Sequence, residues 1–363
     1  MKILYINYID SGTLQSGSSV RPTRILQAFK ESGQEIVTLT GNQMGKERKE
    51  KVRELLKQIK TNKPDICYIE SPVHPIYRHC DRNLIRQLKK NGVPTGFFLR
   101  DFYAKFRKDF PRRKNSIFNY LKDLYWDYLQ RKTYKVLKNC SIVYLPSEEA
   151  KSLFDFNDMR QLPPAGENRL PQKKDYTHTC IYVGGWGGYY DNHFLMEAFS
   201  KLHEEDSSYR LILVCREAEW KAFDDPYKNA EWLEVHHTSG DGLIPLYKKA
   251  SVGLMIPRLD YRYSHFAVSV KTFEYMSYGL PIVTINSTAM GKIVRREEIG
   301  FAVNHSVKEF NEAIKAVTGS QEKYSYYADN VKNALLNRHL WKHRVEQVVK
   351  DLSGYRVISG NCK

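Results

Sequence analysis

The stretch Cys180–Leu202, CIYVGGWGGYYDNHFLMEAFSKL, reads as a short apolar strand, four glycines around one Trp, and then an amphipathic helix. A strand that turns through glycines into a helix opens a βαβ unit and brings backbone amides up to a ligand at the helix start. The spacing fits neither familiar phosphate fingerprint. A G-x-G-x-x-G beginning at Gly185 meets Tyr190 at its last position, and no G-K-[ST] follows to make a P-loop.

The same alternation runs outward in both directions. Before it come the strand-like runs KILYINYI, QEIVTLTG, DICYIES, VPTGFFLRD and CSIVYLPS, separated by helical patterns. After TCIYVGG come YRLILVC, WLEVHH, SVGLMIP, LPIVTIN and GFAVNH, again with helices between, and then three helices close the chain. Strands separated by helices predict parallel sheets covered on both faces. Around LPPAGENRLPQKKD, Pro163, Pro164, Gly166 and Pro171 break both periodicities. The expected fold class is α/β, with two doubly wound, Rossmann-like domains facing across a cleft. Their expected spans are 1–167 and 168–339, with a C-terminal helix in 340–363 packing back toward the first domain.

Composition agrees with two globular domains: 363 residues, 42% of them hydrophobic, without a run near the ~18 apolar residues of a membrane span. The start, MKILYINYI, reads as a strand rather than a signal peptide. Six cysteines, at 67, 80, 140, 180, 215 and 362, are spread singly without C-x-x-C pairs, which suits buried thiols in the cytosol. Charge is uneven. Residues 1–167 hold 31 Lys/Arg against 18 Asp/Glu, whereas residues 168–363 hold 26 against 23. The basic half is expected to face something anionic.

The segment KTFEYMSYGLPIV, Lys271–Val283, resembles the signature helix and strand of GT-B glycosyltransferases, especially glycosyltransferase family four. YVGGWGG resembles that family's donor-domain turn, LYKKASVGLMIP the strand before the signature, and SGSSVRPTRILQAF the Gly/Ser loop of its acceptor domain. The resemblance spans nearly the whole chain. It implies transfer of a sugar from a nucleotide-diphosphate sugar, UDP as the leading base, to a hydroxyl of a glycan or polyprenyl-linked glycan. The setting it implies is cell-surface polysaccharide synthesis. With no Asp-x-Asp motif, the reaction is expected to need no cofactor and no metal. Two other classes stay open: a nucleotide-sugar epimerase of the same architecture, and a binding protein whose catalytic residues have lapsed.

The signature helix also has a physical reading of its own. Amides at Ser269, Val270 and Lys271 fall at its N-terminus, aimed at a donor diphosphate, and Lys271 adds a full charge there. Glu274, one turn on, can accept hydrogen bonds from ribose hydroxyls. Alternatively the two form a plain i,i+3 pair. Where the family carries its first acidic residue this chain has Phe266, so retention or inversion of the anomeric configuration is left open. The turn lacks the family's Arg and Lys: Gly184, Gly185, Gly187 and Gly188 offer only amides, with Arg216 a second possible cation or a surface ion-pair former. Trp186 shields the site or belongs to the core. His237 and Ser239 occupy the place where the family contacts the base.

In the first half, the loop Ser11–Ser19, with Gly17 and Ser18, is a candidate for the diphosphate's other side. FFLRDF ends a strand with Arg100 and Asp101: Asp101 is the candidate general base toward an acceptor if the enzyme inverts, the pair orients the acceptor if it retains, or else Asp101 is a helix cap. His74 sits at a similar strand end. From Tyr103 to Lys138, eleven Lys/Arg and three Asp interleave with nine aromatics. This suits a nucleic-acid surface, an interfacial helix on anionic lipid, or a solvated face. The resemblance selects the lipid, placing the protein at the inner face of the cell membrane, with no nucleic acid partner.

Overall fold

The computed structural model describes residues 1–9, 17–109, 116–171, 176–286 and 289–360. The chain divides into two compact units, Met1–Pro163 together with the segment from Trp341, and Pro164–Leu340. Among the described residues no helix is long and apolar enough to cross a membrane.

The first unit is built on a parallel sheet of β1 (Lys2–Ile6), β2 (Glu35–Leu39), β3 (Ile66–Glu70), β4 (Thr95–Phe98), β5 (Ile142–Leu145) and β6 (Met159–Gln161), ordered β2-β1-β3-β4-β5-β6. The central runs ILYI, ICYIE and TGFF are buried on both faces, as a parallel sheet covered by helices requires. The edge strand β6, MRQ, is only half-buried, and its polar sequence carries no strand signal. The chain's last helix, Trp341–Gly360, belongs to this unit and packs on the helix Gly17–Glu31 and on β3 and β4. Arg344 donates to the Pro163 carbonyl at 3.0 Å, and Asp351 accepts from Arg160 at 2.6 Å and from the Tyr144 hydroxyl at 3.2 Å.

The second unit holds β7 (Thr179–Val183), β8 (Arg210–Val214), β9 (Leu233–His236), β10 (Val252–Met255), β11 (Ile282–Ile285) and β12 (Gly300–Val303), all parallel, ordered β12-β11-β10-β7-β8-β9. The chain starts at β7, winds outward through β8 and β9, then returns to β10 on the other side. Its topological switch point therefore lies between β7 and β10, where open α/β sheets bind ligands beyond the strand ends. The α/β class and the doubly wound sheets expected from the sequence are what the structure has.

Candidate functional site

At the switch point the β7–β10 ladder is short, pairing only Cys180 with Val252 and Ile181 with Gly253. Beyond these pairs the strands part, and the Tyr275 hydroxyl takes their place: it accepts from the Val183 amide at 2.9 Å and donates to the Leu254 carbonyl at 3.2 Å. A side chain at Gly253 would meet the Tyr275 ring at 2.5 Å, so the glycine is what admits the ring. Tyr275 belongs to the helix Val270–Ser277, and thereby fixes that helix over the opening. The sequence reading passed over Tyr275 and Gly253. Their only signal was the glycine inside the strand run SVGLMIP.

Ser269 caps this helix, its side chain accepting from the Lys271 amide at 3.2 Å. Lys271 Nζ lies 2.7 Å from Glu274 Oε2, with 28% and 29% of the side chains exposed. The plain i,i+3 pair is therefore present. A pair this exposed contributes at most ~1 kcal/mol, so the ammonium can turn to a phosphate at small cost. The inner side of Glu274 is phenolic: burial first, then the Glu274 charge, holds the Tyr247 hydroxyl far above the usual phenol range.

Across the opening, the turn after β7 puts Gly187 and Gly188 at φ +96° and +63°, a backbone that favours glycine. Several of its amides have acceptors: Gly184 N–H donates to the Val214 carbonyl at 3.1 Å, Trp186 N–H to Glu219 at 3.0 Å, and Gly187 N–H to the Asn192 side chain. Tyr182 donates to the Gly185 carbonyl at 2.7 Å. Trp186 is 6% exposed and packs edge-on against Trp220 and Phe223, so it is core. The exit of the turn is zipped onto the segment after β10, with Asp191 N–H on the Ile256 carbonyl and Arg258 N–H on the Tyr189 carbonyl, each at 2.8 Å. Glycine turn and signature helix thus share one edge of one sheet, on either side of the switch point.

The remaining residues of this edge have other attachments. Arg216, its side chain 81% exposed, pairs with Glu219 at 2.6 Å, so the surface ion pair is the arrangement observed. The His237 ring donates from Nδ1 to the Cys215 carbonyl at 3.0 Å, which leaves Nε2 as its other face. Ser239 is exposed in the loop beyond β9. His265, beside Phe266, bonds the Leu259 carbonyl through Nε2 at 3.3 Å. One pair was not foreseen: His305, beyond β12, bonds Asp191 through Nε2 at 2.9 Å, while Asp191 also caps the helix Asn192–Glu205. The partners lie 114 residues apart, a spacing that carries no local signal.

In the first unit, Arg100 Nε lies 2.9 Å from Asp101 Oδ2, both about five-sixths buried beyond β4. His74, beyond β3, stands within the field of both: burial lowers its basicity, Asp101 raises it and Arg100 lowers it. Its ring packs on Trp126 and Tyr77, at 5.0 and 6.3 Å. Gly17 and Ser18 open the helix Gly17–Glu31, and the loop ahead of them, from Ser11 to Ser16, lies outside the described residues. Arg21 is interior, paired with Glu70 at 3.0 Å and stacked over Phe98.

Among known families, the glycosyl transferase-like model matches residues 193–350, which takes in Arg216, His237 and the whole Ser269–Glu274 cap but begins after the glycine turn. No curated protein matches the sequence. Solved structures that share the fold include TarM, at 6% identity with a TM-score of 0.58 over 83% of this chain. The pneumococcal O-GlcNAc transferase GtfA, solved with UDP and GlcNAc, shares 9% identity with a TM-score of 0.57 over 85% of this chain. The chain spans only 58% and 60% of those two proteins. AviGT4, a glycosyltransferase involved in avilamycin A biosynthesis, aligns over 99% of this chain and 98% of its own, at 12% identity and a TM-score of 0.58. The chain has the GT-B glycosyltransferase fold, and the part of it from residue 193 to 350 is glycosyl transferase-like.

Proposed function

We propose that this protein is a glycosyltransferase that moves a sugar from a nucleotide-diphosphate sugar to a hydroxyl of a glycan or lipid-linked glycan. The observation that carries the reading is the capped helix start at Ser269–Lys271, with Glu274 one turn on, standing over the β7–β10 switch point inside the matched segment. The dipole of the helix start and Lys271 would neutralise the diphosphate as the glycosidic bond breaks, and Glu274 would hold the ribose. We assign Asp101 to the acceptor hydroxyl, as its base if the transfer inverts the anomeric configuration and as the group that orients it if the transfer retains, with Arg100 fixing the carboxylate. UDP is the nucleotide we favour, in keeping with the UDP seen in GtfA. The sequence lacks an Asp-x-Asp motif, and on that ground we propose a metal-independent reaction. We place the activity in cell-surface polysaccharide assembly at the inner face of the membrane.

The Asp191–His305 pair favours a second reading, a nucleotide-sugar epimerase, because such chemistry needs an acid–base pair near the sugar. A thermal-shift series with UDP-, GDP-, ADP- and CMP-sugars tests donor binding, since ligand at a hundred times its dissociation constant adds ~2.7 kcal/mol. The expected result is a shift with one nucleotide class that Glu274→Ala abolishes. No shift with any sugar, in a protein that melts cooperatively, overturns both enzyme readings. Incubating the bound sugar nucleotide without acceptor then separates them, because only the epimerase changes the sugar while it stays on its nucleotide.

A further inference from the structure

The helix Ile117–Leu137 is buried only along part of its length. Leu129, Thr133, Val136 and Leu137 face the core, and in its first half Trp126 packs inward on His74 and Tyr77. Outward, Ile117, Phe118, Tyr120, Leu121, Leu124, Tyr125 and Tyr128 are 48–81% exposed. At 100° per residue these seven fall on one broad face centred near Leu121, Leu124 and Tyr128. An exposed apolar face of that size on one element marks an interaction site. Continued toward the C-terminus, the same face carries Arg131, Lys132 and Lys135, all exposed, with Lys132 Nζ 4.4 Å from the Tyr128 ring centre. The helix's two acids, Asp123 and Asp127, fall on the flank of this face. Apolar side chains therefore occupy its first three turns and cations its next.

We propose that this face docks on an anionic lipid surface. The apolar turns would enter the headgroup–acyl boundary by about 5–10 Å, and Arg131, Lys132 and Lys135 would meet lipid phosphates. The segregation selects lipid over the alternatives. A single-stranded nucleic acid needs rings and cations interleaved along one groove, whereas the four rings of this face are interleaved with three aliphatic side chains and its cations lie at one end. A second copy of the chain would bring the same acid-free face against itself, with no carboxylate to meet the three cations. The inward side gives the docking a purpose. Trp126 rests on His74, which stands in the field of Asp101 and Arg100, so one helix links the proposed acceptor edge to the apolar exterior. This deepens the transfer reading by naming where the acceptor is met. Vesicle binding itself is read without donor or acceptor, so it fails or succeeds apart from that reading.

The test is flotation of the full chain with vesicles of phosphatidylcholine alone and of phosphatidylcholine mixed with phosphatidylglycerol. Two variants accompany it, Leu121→Ser/Leu124→Ser and Arg131→Gln/Lys132→Gln/Lys135→Gln. Both change exposed positions only, and unchanged melting temperatures will certify their folds. The wild type is expected to float with the mixed vesicles and poorly with phosphatidylcholine. The leucine variant is expected to lose binding, and the cation variant to lose it by ~100-fold, at about fivefold per charge. No flotation of the wild type, equal flotation on both vesicles, or flotation unchanged in the leucine variant each overturns the proposal. So does a wild-type dimer that the leucine variant dissociates and that vesicles do not bind, which would give the face to a second copy.

Discussion

At the residue scale, the site depends on one missing side chain. Gly253 leaves the space that the Tyr275 ring fills, and that ring's hydroxyl holds both strands where they part. Gly253→Ala puts a carbon 2.5 Å from the ring, so Tyr275 must move and take Glu274 with it. The expected cost is ~1–3 kcal/mol of stability, as for other overpacked cores, together with loss of the sugar-nucleotide thermal shift. A variant that melts lower but keeps the shift would separate the ring from the site. A second residue governs behaviour in acid. Glu297 is buried. Burial alone would raise its pKa, but hydrogen bonds from His339, Arg338 and Arg296 more than offset this and bring it from 4.5 down to about 2. A carboxyl depressed in the folded state contributes stability that is full above its unfolded pKa near 4.5 and is lost as pH falls through 2. Melting temperature measured from pH 6 to pH 2 should fall across that window, and Glu297→Gln should flatten this part of the fall. At neutral pH the same substitution should cost about 1.5–3 kcal/mol, because the buried carboxylate gives up its charge-assisted hydrogen bonds, while Arg296 and Arg338, more than half exposed, fall back on water.

At the scale of elements, legibility followed burial. Strands covered on both faces leave apolar runs in the sequence, so β1, β3 to β5, β7, β8, β10 and β11 could be read directly; the half-buried edge strands β2, β9 and β12 still carry apolar residues enough to be read, whereas the edge strand β6, a half-buried MRQ, does not. The signature helix and the glycine turn were likewise visible as local patterns. The surface ion pair of Arg216, with its i,i+3 neighbour Glu219, was also among the sequence readings, but the Asp191–His305 pair and the phenols behind Glu274 were not, being products of packing. The helix Val270–Ser277 is only eight residues long, so its cap matters in proportion. Ser269→Ala should cost ~1 kcal/mol and weaken donor binding, while Ser269→Asp, which restores a cap but adds a negative charge, should recover stability without recovering binding. If the aspartate variant binds the sugar nucleotide as well as wild type does, the diphosphate does not sit at this helix start. Gly187→Ala, at φ +96°, should cost about 1–2 kcal/mol of stability through backbone strain alone.

At the scale of the whole molecule, the chain leaves its first unit at Pro163 and returns at Trp341, so the two units differ in how they depend on chain continuity. The second unit is one uninterrupted segment with its own six-stranded sheet and core clusters. The first unit needs its last helix. Val345, Val348 and Leu352 are fully or almost fully buried, Leu352 Cδ1 would lie 3.2 Å from a side chain at Gly96, and Asp351 answers Arg160 and Tyr144. Removing that helix takes away three buried apolar side chains, uncovers the faces of β3, β4 and the helix Gly17–Glu31 that they cover, and strips a half-buried arginine of one of its two carboxylates. The lost apolar burial alone is worth roughly 1.5–3 kcal/mol per residue, a large share of a domain's 5–15 kcal/mol. Residues 164–340 expressed alone should therefore melt cooperatively and still shift with the sugar nucleotide, whereas residues 1–163 alone should not fold. Adding a peptide of residues 341–360 to the 1–163 fragment should restore a cooperative transition by mass action, with a melting temperature that rises with peptide concentration. Cooperative melting of 1–163 without the peptide would mean that the C-terminal helix is an accessory to the first unit rather than part of its core.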